Sequence, residues 1–292
     1  MKILITGANG QLGRAVNLVF AQEDARLINT EAPQIAEGLG MEALDITDVD
    51  GVLSFARTAR PDVIINCAAY TAVDKQETDA ELSYRINAVG PRNLAIAATE
   101  TQARLIHIST DYVFDGKKKG AYTEFDAVCP ASVYGSSKLA GEEFVKAHAS
   151  RFFILRTAWL YGDGNNFAKT MLRLAETHDT VSVVADQRGT PTSASELAKA
   201  VAYLAKTDNY GLFHATCEGE CSWADLAEEI FRRAKKETRV QRISTEEYVG
   251  NYPQSAPRPL NSVLDNYMLR LTSDYRFADW RDAFAEYMGG EQ

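Results

Sequence analysis

Cysteine is scarce in this chain: four among 292 residues, at 67, 129, 217 and 221. That is too few to staple a chain of this length, which excludes a disulfide-built secreted scaffold. Long apolar runs are missing too, and none approaches the ~20 residues that a membrane-spanning helix needs. Nor is there an excess of positive charge: 31 Lys and Arg stand against 40 Asp and Glu, a net charge of −9. That balance argues against nucleic acid or an anionic membrane as the main partner. It leaves room for a nucleotide ligand, since a local cluster of amides and cations can hold phosphate in an acidic protein. No secretory leader precedes Met1-Lys2-Ile3-Leu4-Ile5-Thr6, which already reads as a strand, so cytoplasm is the expected compartment. His214, Cys217 and Cys221 loosely resemble zinc spacing, but no fourth ligand stands nearby and no metal is expected.

What is present is an alternation of strand-like and helix-like runs through the first 210 or so residues. This predicts an α/β fold: a Rossmann-type doubly wound parallel sheet with a smaller C-terminal α/β lobe. The strands are expected at Lys2–Thr6, Arg26–Asn29, Glu42–Leu44, Asp62–Asn66, Arg104–Ser109 and Phe152–Arg156. Helices are expected over Gln11–Gln22, Val49–Ala59, Ala80–Glu100, Val133–His148, Ser195–Lys206 and Ser222–Ala234. A dinucleotide-binding domain is expected over 1–157, with the helix at 195–206 returning to it, and a mainly substrate-binding lobe over 158–292.

The first strand ends at Thr6, and Gly7, Gly10 and Gly13 follow at three-residue spacing. Glycines there allow a tight turn whose amides approach a pyrophosphate at the helix N-terminus. At the end of the second strand Thr30 can bond either a ribose hydroxyl or a 2′-phosphate. Glu31 favours NADH if it points inward, Arg14 favours NADPH, and the choice stays open. The small side chains of Asn66-Cys67-Ala68-Ala69-Tyr70-Thr71 leave room for a cofactor against the backbone. Asn87 is polar inside a predicted helix, which suits a structural role or a proton relay.

Tyr134 and Lys138 lie four apart on a predicted helix, hence one turn from each other on one face. A phenol holds its proton to a pKa of about 10, so it is a poor acid–base catalyst at neutral pH. A neighbouring ammonium brings it toward the working range. Gly135, Ser136 and Ser137 between them are small enough for a flat ligand to approach. Further on, Trp159 stands beside a Gly/Asn loop and is either core packing or the wall of a site. Arg258 sits in a Pro-rich loop from 253 to 259, as a solvated arginine or a diphosphate clamp.

The glycine turn, Ser109-Thr110-Asp111-Tyr112-Val113-Phe114-Asp115-Gly116, Tyr134-Gly135-Ser136-Ser137-Lys138, Asn165-Asn166-Phe167-Ala168-Lys169-Thr170-Met171 and Arg258-Pro259-Leu260-Asn261-Ser262 together resemble one superfamily. It is the short-chain dehydrogenase/reductase superfamily, in its extended, nucleotide-sugar-modifying branch, and the wording is most similar to the rhamnose-pathway reductases. The resemblance implies an oxidoreductase that uses NADPH or NADH to reduce a 4-keto-6-deoxy sugar nucleotide. It implies Tyr134, Lys138 and Thr110 as catalytic, with Thr110, Asp111, Trp159 and Arg258 on the substrate. Cofactor contacts are expected from Gly7, Gly10, Gln11, Leu12, Gly13, Thr30, Ala69, Tyr70, Thr71, Tyr134 and Lys138. Asp45 and Ile46 resemble the adenine-edge contact, although Asp45 serves equally as a helix cap. Related dehydratases carry Thr-Asp-Glu where this chain has Thr110-Asp111-Tyr112, so dehydration is disfavoured. Two rivals remain: an epimerase that retains its NAD, and a non-catalytic subunit like the regulatory subunit of methionine adenosyltransferase. Some relatives bridge subunits with a divalent ion held early in the first helix. Ala15 occupies that place here, leaving monomer or homodimer open.

Overall fold

The computed structural model describes residues 1–289; the last three residues of the expected lobe lie outside the described residues. Six strands alternate with helices as expected: β1 Lys2–Thr6, β2 Arg26–Glu31, β3 Glu42–Ala43, β4 Val63–Asn66, β5 Arg104–Thr110 and β6 Phe152–Thr157. All pair in parallel, in the order β6-β5-β4-β1-β2-β3. The order reverses between β1 and β4, and that crevice at the C-terminal strand ends is where such sheets bind ligands. β4 and the middle of β5 read as apolar runs because helices cover both faces, and Ile64, Ile65, Leu105 and Ile106 are wholly buried.

A seventh strand was not anticipated. Gly211–His214 pairs with β6, so the chain crosses back to the large sheet from within the 158–292 segment. The helix Ala194–Leu204 also packs against the helix Gln11–Phe20, in one core with Leu12, Val16 and Phe20. The rest of the C-terminal part pairs Thr180–Val184 with Arg239–Ile243 and builds its own core around Met171, Ile230, Trp280 and Phe284.

The predicted helix Ala80–Glu100 is three pieces: Ala80–Tyr84, a π-helical turn Arg85–Val89, and Gly90–Thr101. Pro91 brings no N–H to the ladder, and a Cβ at Gly90 would meet the Ile46 side chain. The widened turn presents Asn87, which lies buried.

Candidate active site

Two adjoining cavities occupy the crevice. The first, about 550 Å³, is lined by the glycine turn, Glu31, the Asp45–Thr47 segment and Ala68–Ala69. The second, about 430 Å³, is lined by Gln11, Leu12, Thr71, Thr110, Asp111, Tyr134, Lys138 and Trp159. Gly10, Cys67, Ala68 and Ala69 border both, which makes one continuous trough.

The glycine turn fits a pyrophosphate. Gly7 has φ +67°, and a Cβ there would stand 2.6 Å from the Ala68 nitrogen. A Cβ at Gly13 would collide with the Gly7 carbonyl. The helix Gln11–Phe20 starts without a side-chain cap, so its first amides stay available to an anion. Gly13 therefore packs the turn together without lining the trough.

Thr30 departs from expectation. Its side chain is wholly buried and its hydroxyl donates to the Ile5 carbonyl at 3.1 Å. Successive strand residues face opposite ways, so Glu31 takes the place at the cavity. The Asn9 N–H donates to Glu31 Oε1 at 2.8 Å. Arg14 turns elsewhere, donating to Asp163 at 2.5 Å and to the Asn9 carbonyl at 2.8 Å. Tyr70 also misses the trough: Asn87 accepts from its N–H at 2.9 Å and donates to its carbonyl at 3.0 Å. The same Asn87 amide donates to Ser137 at 3.2 Å, tying the Ala69–Thr71 loop to the helix Val133–His148.

That helix carries Tyr134 and Lys138, and Ser132 caps it by accepting from the Gly135 N–H at 3.1 Å. Gly135 does not serve ligand approach as its size suggested; a Cβ there would strike the Tyr112 carbonyl. The Tyr134 ring meets the Tyr112 ring edge-on at 5.2 Å. Burial pushes the Tyr134 phenol up to about 12; the hydrogen bond with Thr110 works against this, and Asp111 adds to it. Burial lowers Lys138 to about 8, partly opposed by Glu142, and its ammonium donates to the Ile108 carbonyl at 2.5 Å. The shift of Tyr134 thus runs opposite to the expected lowering by Lys138, because burial sets its direction. Asp111 is pushed up to about 6 by burial, which the Ser262 and Thr110 hydroxyls oppose, Thr110 donating to its Oδ1 at 3.0 Å.

The RmlD substrate binding domain family matches residues 1–291. The chain belongs to this family. The dTDP-4-dehydrorhamnose reductase of Aggregatibacter actinomycetemcomitans is 39% identical over 291 residues, covering 97% of this chain and 96% of that one. A crystal structure of a dTDP-4-dehydrorhamnose reductase from Clostridium acetobutylicum is 50% identical over the whole of both chains, with a TM-score of 0.93. Another, from Bacillus anthracis in complex with NADP, is 39% identical, covers 99% of this chain and 98% of that one, and has a TM-score of 0.90.

In this RmlD-family chain Trp159 is packed on one side and borders a cavity. It stacks on Trp223 at 3.6 Å between ring centroids and lines the second cavity. Its left-handed backbone, φ +48°, is uncommon for a large residue and is held by that packing. Arg258 lines neither cavity. Its guanidinium donates to Asp74 at 3.0 Å, while its Nε is buried without a partner.

One buried group of this RmlD-family chain escaped sequence reasoning. Glu142, one turn beyond Lys138, accepts from Ser109 at 2.6 Å and from Arg156 at 2.9 and 2.7 Å. It binds the helix to β5 and β6 beside Thr110. The i, i+4 spacing from Lys138 was the available signal. His214, Cys217 and Cys221 are buried, and both thiols are pushed up to about 12 by burial. Among the described residues no group of three or more His, Cys, Asp or Glu could hold a metal ion.

Proposed function

We propose that this chain is a dTDP-4-dehydrorhamnose reductase, reducing the C4 ketone of dTDP-4-dehydro-6-deoxy-L-mannose to give dTDP-L-rhamnose with NADPH or NADH. The observation that carries this is the convergence of Thr110, Tyr134 and Lys138 on a cavity continuous with an uncapped glycine turn. The cofactor supplies the hydride when bound. Gly7, Gly10 and the start of the helix at Gln11 would hold its pyrophosphate and Glu31 would meet its adenosine ribose, with Ala69 and Thr71 lining the same trough.

The residues of the chain do the rest. Thr110 orients the keto oxygen beside the phenol, and Tyr134 gives that oxygen its proton. Lys138, held by the Ile108 carbonyl, offers positive charge to the phenolate left behind. Trp159 walls the sugar, and Arg258 offers a cation for a diphosphate if it exchanges Asp74 for phosphate.

No helix among the described residues is long and apolar enough to cross a membrane. The compartment we propose is the cytoplasm, in keeping with four free cysteines. The test is consumption of NADH and NADPH against dTDP-, UDP- and GDP-linked 4-keto sugars. The proposal requires net oxidation with the dTDP sugar in preference to the others. A retained cofactor with sugar interconversion indicates an epimerase, and absence of turnover with any of them indicates a binding subunit.

A further inference from the structure

A cavity of about 410 Å³ lies outside the trough, walled by the segment 124–128, Lys146, Leu212 and Met268, with Arg156 reaching it from β6. It shares no lining residue with either cavity of the trough. Arg156 is only 2% exposed, so it forms the floor and not the rim. Its Nε and Nη2 are spent on Glu142, at 2.9 and 2.7 Å, while Nη1 is buried with no partner. In a planar guanidinium that third nitrogen points away from the carboxylate the other two hold. A buried donor on a charged group is costly until an acceptor meets it. Lys146 brings a second cation to the half-exposed rim, where it donates to Glu143 at 2.8 Å. The two acids of the wall are already engaged. Asp126 accepts from Lys118 at 2.6 Å, and Glu124 accepts from the N–H groups of His214 at 2.8 Å and Met268 at 3.2 Å.

We propose that this cavity binds a small organic carboxylate with an aromatic or branched apolar body. The carboxylate accepts from Arg156 Nη1 and from Lys146, while the body lies against Phe125, Val128, Leu212 and Met268. Phe125 is 72% exposed and braced edge-on by Tyr267, which leaves an aromatic face free at the mouth. The volume falls within the roughly 300–1,000 Å³ of small-molecule pockets, which join apolar walls to a few placed polar groups. An inorganic anion would leave the apolar wall bare, and a purely apolar molecule would leave Nη1 unpaired. An occupant would bear on the catalytic cavity through Arg156, Glu142 and Ser109, the residue before Thr110. That makes this an effector's place and not a substrate's.

The test is calorimetric titration of the full chain, saturated with NADPH, with phenylacetate, with its neutral counterpart phenethyl alcohol and with acetate. Phenylacetate should bind saturably, one per chain, and the alcohol about ten- to a hundred-fold more weakly, the range for a lost charge-assisted hydrogen bond. Acetate, which lacks the apolar body, should also bind more weakly. Ala127→Trp fills the cavity from an exposed position and should weaken phenylacetate at least about ten-fold, and Lys146→Gln about ten-fold. Both variants should bind NADPH as wild type does, which shows that they fold. Equal affinity for phenylacetate and the alcohol overturns the proposal, because the cations then contribute nothing. Unchanged phenylacetate affinity in Ala127→Trp overturns it by placing the ligand elsewhere. Absence of saturable binding overturns it as well, leaving Nη1 to water.

Discussion

The helix Val133–His148 carries two buried polar groups of residues one turn apart, and they are built in opposite ways. At Glu142 both carboxylate oxygens are used: Ser109 and Arg156 supply three hydrogen bonds, and Lys146 stands 3.9 Å away. At Tyr134 and Lys138 burial works against the charged forms. The phenol is held protonated by burial, the ammonium is destabilised, and burial raises Asp111 against the Ser262 and Thr110 hydroxyls on its carboxyl. An ion pair inside the core holds a fold in place, whereas buried groups whose charged forms are disfavoured are suited to proton transfer. On this reading the Glu142 end is structure and the Tyr134 end is chemistry.

The comparison can be broken in several places. Tyr134→Phe keeps the ring and removes the proton, so turnover should fall roughly 10²–10⁴-fold with NADPH affinity retained. Glu142→Ala should act on stability instead. It leaves the Arg156 charge buried and uncompensated, a loss of about 3–5 kcal/mol readable by urea unfolding. If Glu142→Ala spares stability, the satisfied end is not what secures the helix.

A smaller effect of opposite sign is expected at Asp111. Its folded pKa, about 6, stands above the ordinary 3.8, so the folded state binds this proton more tightly than the unfolded chain. The stability it contributes is present below about pH 4 and lost as pH rises through about 6. Asp111→Asn should therefore stabilise the protein at pH 8, on the order of 1–3 kcal/mol, with the gain vanishing at pH 4. A variant less stable at pH 8 would show that the carboxylate is well compensated. The smallest effect is none: with Ala15 in the first helix and no metal-holding group among the described residues, activity should survive EDTA and desalting. Recovery only on adding Mg²⁺ would reveal a site.

Much of this contrast was legible in the sequence. Apolar runs marked the six leading strands to within a residue or two, and glycine spacing marked the turn, because both are local properties. Gly211–His214 was not legible, since four residues after a helix carry no period and acquire their strand from β6. Thr30 and Glu31 were separated only by which face of β2 meets the trough. The direction of the Tyr134 shift was misjudged because Lys138 is four residues away in sequence, whereas the burial that opposes it comes from distant segments. Likewise, the partner of Arg258 is 184 residues distant.

The most direct measurement is a single turnover with cofactor deuterated at the transferring C4 position and the dTDP-linked 4-keto sugar. One deuterium per sugar should appear at C4 of the product, with one cofactor oxidised, and Tyr134→Phe should slow that step while binding NADPH normally. Unlabelled product, label returned to the cofactor, or an unslowed Tyr134→Phe variant would contradict placing the reduction at the open end of this helix.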